Sequence, residues 1–270
     1  MITCSRDQSR RDLAVQVTKN IASLAPGAGL DRRFILFDND SIFDDHVQLV
    51  PDGTTICRCD RNIGYWTAIK WVLENRRELG GDEFKYLYII ESDLWHSDLR
   101  ALALCEAFLD ANDSAVGVRT QEFSVRFRWR YDKGFRFVPF RKLRSVVHLV
   151  NQGNGEKGWF RKTTSDKVWL SNLHTKLPAL NRLSALDAVF PQFDARDQFT
   201  EADFFRLMGA QRPHVGVLDG GLWHQLSTPQ TKDVISGSWS NPEVMKKLGY
   251  QGTRSASMDK APFSVTVSKV

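Results

Sequence analysis

Short apolar runs alternate with amphipathic helical stretches through the first 120 residues, and this restricts the fold more than any other feature of the chain. Residues 1–7 read as a strand that breaks into a polar loop. Leu13, Val17, Ile21 and Leu24 then keep a helical spacing, which Pro26-Gly27 stops. Residues 34–37 form a second apolar run, followed by the turn cluster Asp38-Asn39-Asp40-Ser41. Residues 54–58 read as a third strand, and Asn62-Ile63-Gly64 opens a helix reaching about Leu79, closed by Gly80-Gly81. A further run, residues 86–90, has the continuous apolar character of a strand buried on both faces. Ser97 is placed to cap a helix over residues 98–109, and residues 115–118 read as another short strand. Such alternation predicts an α/β fold: a Rossmann-like, mostly parallel central sheet with right-handed crossovers, flanked by helices.

The strand at residues 86–90 ends abruptly in acid, with Glu91 and Asp93 separated by one serine. In open parallel sheets, ligands bind just beyond the carboxyl ends of the strands. Two carboxylates there make a hard, oxygen-rich site suited to Mg2+ or Mn2+, which in turn can hold phosphates. The plain alternative is a pair of solvated loop acids.

The character changes after Thr120. Residues 125–131 alternate strictly, placing Arg126, Arg128 and Arg130 on one face and Val125, Phe127, Trp129 and Tyr131 on the other. Asp132-Lys133-Gly134 is a turn signal, and residues 135–138 complete a hairpin. Arg141, Lys142 and Arg144 extend the positive charge. The face is either simply solvated or a surface for a phosphate-bearing ligand. Residues 151–196 read as loop-rich. A compact helix follows over residues 201–208, then an apolar run at 214–218 leading to Asp219 and His224. Asn241-Pro242-Glu243 has the chemistry of a helix start, and the tail beyond Gly249 is polar. With no internal repeat or low-complexity linker, a single domain over residues 1–270 is expected. It divides into a nucleotide-binding half (1–120), an acceptor and catalytic half (121–226) and a C-terminal tail (227–270).

Composition excludes several classes. No apolar run approaches the ~20 residues needed to span a bilayer. No signal peptide is read before the first strand, so cytoplasmic residence is the default expectation. Cys4, Cys57, Cys59 and Cys105 lack zinc-like pairing and read as reduced structural thiols. A net charge of +5 points towards a polyanionic partner.

Four pieces in order resemble the nucleotide-diphospho-sugar glycosyltransferases of GT-A fold, most like the inverting family 2 type. They are the opening strand with its polar end, Ile2 to Asp7; Asn62-x-Gly64 leading a helix; Glu91-Ser92-Asp93 in the place of that family's Asp-x-Asp; and Thr200-Glu201-Ala202-Asp203-Phe204-Phe205, followed by Asp219 and His224. The resemblance covers roughly residues 1–120 and 198–226. Two positions depart from the pattern: Glu91 stands where Asp is usual in the metal motif, and Glu201 stands at the family's catalytic Asp. Thr200-x-x-Asp203 also fits a helix capping box.

The resemblance implies a sugar-nucleotide donor, such as a UDP-sugar, bound over the strand ends by Thr3, Ser5, Arg6, Asp7, Asp38, Arg58, Asn62 and Gly64. It implies a divalent metal, Mn2+ or Mg2+, on Glu91 and Asp93, with His224 completing the shell or touching the diphosphate. Glu201, with Asp203 beside it, would deprotonate an acceptor hydroxyl and so produce inversion. A hexosyltransferase is the implied enzyme. The acceptor region is the basic hairpin, where Arg126, Arg128, Arg130 and Trp129 form the mix of cations and rings that nucleic-acid binders use. A hydroxylated base in DNA is therefore one expected acceptor; a glycan, lipid-linked sugar or protein hydroxyl is another. A non-catalytic nucleic-acid-binding protein on the same fold is the rival from a different class. A sugar-phosphate nucleotidyltransferase fits less well, because residues 4–12 lack both glycine and lysine.

Overall fold

The computed structural model describes residues 1–27, 32–121, 147–150, 157–165, 167–175, 177–192, 201–226 and 262–270. In chain order the first half holds β1 (Ile2–Thr3), α1 (Gln8–Leu24), β2 (Ile35–Asn39), β3 (Thr55–Cys59), α2 (Tyr65–Glu74), β4 (Tyr86–Tyr88), β5 (Leu94–His96), α3 (Ala101–Ala111) and β6 (Ala115–Arg119). The second half holds β7 (Val147–Val150), β8 (Lys157–Lys162), β9 (Val168–Ser171), β10 (Ala179–Arg182), α4 (Leu183–Val189), α5 (Glu201–Gln211), β11 (His214–Leu218), β12 (Trp223–Gln225) and β13 (Val265–Lys269).

The fold is α/β, with mixed sheets flanked by helices. One sheet has the order β1-β2-β3-β13, and a second the order β4-β10-β6-β11-β9-β8-β7. The Ile2 N–H donates to the Ile90 carbonyl at 3.1 Å and joins the two. β1, β2 and β3 run parallel, as expected, and so do β6 and β11. The expectation of a mostly parallel sheet does not hold for the rest. β10 enters between β4 and β6, antiparallel to both, and β7, β8 and β9 form an antiparallel meander that continues against β11.

Both faces of the second sheet are covered, which is why β6 and most of β11 are buried along their length. On one face, Val17 and Ile21 of α1 pack with Leu102, Phe108 and Leu109 of α3 against Val118 and Leu180. On the other, Ile69 and Leu73 of α2, Leu186 of α4, and Phe204 and Met208 of α5 pack against Val116 and Ala179. Each face removes many large apolar side chains from water, the dominant stabilising term. Cys57, Cys59 and Cys105 are buried free thiols, and Cys4 is partly buried.

Several elements differ from the sequence reading. Ser97 does not cap α3. Its hydroxyl donates to the Leu222 carbonyl at 3.2 Å, and the Asp98 carboxylate accepts from the Arg100 N–H at 2.8 Å just before the helix. α2 stops at Glu74 rather than near Leu79, because the Asn75 side chain turns back onto the Trp71 carbonyl at 2.8 Å. Residues 157–162, 168–171, 179–182 and 183–189, read as loop, are three strands and a helix. The last strand, β13, lies in the tail for which no strand was read; it pairs antiparallel with β3 from Val265↔Cys59 to Lys269↔Thr55. The arginine-rich hairpin and the Asn241-Pro242-Glu243 helix start lie outside the described residues.

A buried polar chain ties the ribbon β5–β12 to the core. Asn20 of α1 exchanges two hydrogen bonds with the His96 backbone, at 2.8 and 2.9 Å. His96 Nε2 meets the Tyr88 hydroxyl at 3.1 Å, Tyr88 meets Thr120 at 3.1 Å, and Trp223 Nε1 donates to Thr120 Oγ1 at 3.0 Å. Burial, which outweighs the bond to the Leu94 carbonyl, lowers the His96 imidazole to about 4. A histidine pKa lower in the folded than in the unfolded chain contributes stability that is complete above the unfolded value, ~6.5, and is lost as pH falls through that value towards 4. Between pH 7 and pH 4, this site is expected to remove about 3 kcal/mol. Urea unfolding at the two pH values, compared with His96→Gln, measures it: the variant's acid loss should be smaller by that amount.

Candidate functional site

The carboxyl ends of β1, β2 and β4 converge with the β5–β12 ribbon and the start of α5. β4 is three residues long, and the chain leaves it through Ile89 and Ile90, both buried, into Glu91. A turn at Ser92 and Asp93 then leads into β5. The ribbon pairs Trp223↔His96, His224↔Trp95 and Gln225↔Leu94. This pairing fixes Asp93 at both ends: its carbonyl accepts from the Leu226 N–H at 2.7 Å, and its carboxylate accepts from Gln225 Nε2 at 3.1 Å.

Glu91 accepts a hydrogen bond from the Tyr65 hydroxyl at 3.1 Å. Tyr65 is the first residue of α2, directly after Gly64, which takes φ +82° where a side chain would be strained. Burial raises the Glu91 carboxyl to about 7, and the charges of Asp93 and Glu201 add to the rise while the Tyr65 hydroxyl opposes it. Burial also raises Asp93, against the opposing Gln225 bond and the nearby Arg10. Two partly buried carboxylates therefore repel one another at the end of a strand. The Tyr65 hydroxyl, raised well above its ordinary range by burial, feels Glu91, Glu201 and Asp93 together, which puts the three acids in one electrostatic neighbourhood.

The donor set suits a small hard cation. Mg2+ and Mn2+ sites commonly use one or two carboxylates and complete the shell with water and substrate phosphates. Among the described residues, no three His, Cys, Asp or Glu side chains come together as a metal-binding group, so His224 does not join Glu91 and Asp93 as the sequence reading expected. The reason is the two-residue period of a strand: Gln225 turns towards Asp93, so its neighbour His224 projects from the opposite face, across from Trp95.

Several of the residues expected to bind the nucleotide are committed to the fold. Asp7 caps α1, accepting from the Arg10 N–H at 2.9 Å. Arg6 is ion-paired with Asp40, and Arg58 with Asp44 at 3.2 Å. Asn62 accepts from Asn39 Nδ2 and from the Gly64 N–H, both at 2.9 Å, and so holds the loop that starts α2. Thr3 is buried against His46, 3.1 Å away. Ser5 and Asp38 remain as the polar groups least used by the fold. Ser5 Oγ is buried without a partner among the described residues, and Asp38 accepts from the Ser41 N–H at 3.1 Å.

Glu201 is exposed at the first residue of α5, and Asp203 pairs with Arg206 at 3.8 Å. Thr200, the other half of the expected capping box, lies outside the described residues, as do Arg126, Arg128, Arg130 and Trp129. Sequence reading missed Tyr65 and Gln225, the donors to the acid pair. Tyr65 carries a usable signal, because a polar aromatic directly follows the glycine that opens a helix at a strand end. Gln225 carries none, since its role depends on the ribbon register.

No family model matches this chain, and no curated protein matches it. Among the described residues, no helix is long and apolar enough to cross a membrane.

Proposed function

We propose that the protein is a GT-A-type glycosyltransferase that moves a sugar, a hexose in the simplest case, from a nucleotide-diphosphate sugar to an acceptor hydroxyl with inversion. The observation that supports this most is the Glu91–Asp93 pair at the end of β4, set beside Glu201 of α5 and over the ends of β1 and β2. A divalent cation held by Glu91 and Asp93 would neutralise charge on the departing diphosphate.

The chain's own residues account for the remaining steps. Tyr65 and Gln225 hold the two carboxylates in place through their hydrogen bonds. Ser5 and Asp38 offer polar contacts for the nucleoside end of the donor at the tips of β1 and β2. Glu201 takes the proton from the acceptor hydroxyl as that oxygen attacks the anomeric carbon, and the bond from that carbon to the diphosphate oxygen breaks on the opposite face. The acceptor follows from the basic stretch at Arg126, Arg128 and Arg130: a hydroxylated base in DNA is our choice among phosphate-bearing acceptors.

Glu201→Gln tests the base. It keeps the size of the side chain and removes its basicity, so turnover should fall about a hundredfold or more, the usual range for general-base help. Binding of UDP should be unchanged. Release of UDP from UDP-sugars, with hydroxymethylated oligonucleotide or glycan as acceptor, provides the readout. An unchanged rate would move the proton transfer to another residue.

A further inference from the structure

A cavity lies between β2 and β4, reaching from their amino-terminal ends along β4 to Ile89 and Ile90. β1 contributes only Ile2 and Thr3 between β2 and β4, so the sheet is open at the amino-terminal ends of its two neighbours. The resulting slot has a volume of about 190 Å³. Phe34, Leu73, Leu79, Phe84, Leu102 and Leu180 make most of its wall apolar. An apolar cavity of roughly 150 Å³ can stay dry and take up a small hydrocarbon, so this one suits an alkyl chain better than water.

Polar groups enter at specific places. The Leu183 N–H donates to the Lys85 carbonyl at 2.9 Å, and Ile90 accepts from Ile2, so alternate residues of β4 face β10 and β1. The peptide groups of Tyr86 and Tyr88 accordingly point away from β10, into the slot. Arg32 also lines it. Its Nη2 donates to the Leu99 carbonyl at 2.9 Å, while its Nη1 is buried with no hydrogen-bond partner among the described residues. Burial lowers the Arg32 guanidinium, against the pull of Glu106 and Asp98. A buried guanidinium nitrogen without an acceptor is costly, and a carboxylate is the group whose geometry it fits. Arg33 and Arg76 add positive charge to the lining, although Arg76 is shared with Asp187; Glu106 is the opposing acid.

We propose that this slot binds a small carboxylic acid with a medium-length alkyl tail, the tail lying between β2 and β4 and the carboxylate received by Arg32. Glu91 and Asp93 do not line this slot, and the proposal does not depend on the transferase reading.

Calorimetric titration of the full chain with octanoate and with 1-octanol, without sugar nucleotide, tests it. Octanoate should bind about tenfold or more tightly than the alcohol, the expected gain for a charged hydrogen bond. Arg32→Gln should erase that preference while leaving octanol binding in place, and Glu106→Gln should strengthen octanoate binding. Leu102→Trp, which fills the slot, should weaken both ligands. Equal binding of acid and alcohol to the wild-type chain overturns the assignment of the carboxylate to Arg32, as does a preference that survives in Arg32→Gln. Failure of both ligands to bind overturns the site itself. Because donor turnover is not read, these outcomes leave the glycosyltransferase proposal untouched.

Discussion

Replacing Asp93 with alanine is expected to reduce metal-dependent release of UDP from a UDP-sugar by more than about a hundredfold, since even groups that only support a metal ligand are worth 10–100-fold. The fold should survive. Asp93 is one of two partly buried carboxylates that repel each other, and its loss leaves Gln225, which is exposed, free to bond water. The Glu91 carboxyl should move down from about 7 once its neighbour's charge is gone, although burial, the larger cause, keeps part of the rise. The variant is thus expected to unfold at the same temperature as the wild type or a slightly higher one. Turnover assays with Mn2+ and thermal melts on the same preparation separate the two effects. Normal turnover would remove the acid pair from the reaction, and a large loss of stability would make Asp93 a structural residue.

The second large effect is expected at Phe204. Its ring is fully buried and meets Trp66 of α2 at 5.1 Å, Phe190 at 6.1 Å and Phe205 at 6.0 Å between centroids. Phe204→Ala should cost about 3–5 kcal/mol, the range for deleting a buried aromatic ring from a core. The ring also fixes α5 against α2, and these helices carry Glu201 and Tyr65. Donor turnover should therefore fall even at temperatures where the variant remains folded. Urea unfolding checks the stability, and a loss below about 1 kcal/mol, far under that range, would mean that α5 is held by other contacts.

The half of the fold built from local pattern was readable in advance. β2 and β3 are runs buried on both faces, and α1 shows its core face in Leu13, Val17 and Ile21. Elements that exist only through distant partners were not. β5 and β12 are three residues each, formed because Trp223 and His96 meet across more than a hundred residues of chain. β10 contains Asn181 and Arg182, which no strand pattern favours, yet it is a strand because it is paired along both edges. Ser97 reads as a cap by residue type, but tertiary contact with Leu222 claims its hydroxyl.

The site follows the same division. An acid pair after an apolar strand is a local signal, but β4 stops at Tyr88, two residues short of the expected end, and its three residues are half-buried rather than covered on both faces. Glu201 reaches the same neighbourhood through the packing of α5. The nucleotide residues were identified by position along the strands, and position alone could not reveal that Asp7, Asn62 and Arg58 already serve a cap, a loop and an ion pair. The placement of His224 depended on strand parity in a ribbon that the sequence did not disclose.

Calorimetric titration of UDP into the protein, once with Mn2+ and once with a chelator, reads the central claim without needing the acceptor. Binding should be at least about tenfold tighter with Mn2+, and Glu91→Ala combined with Asp93→Ala should abolish that difference. Equal UDP affinity with and without metal in the wild-type chain would contradict a role for these two carboxylates in holding a cation beneath a diphosphate.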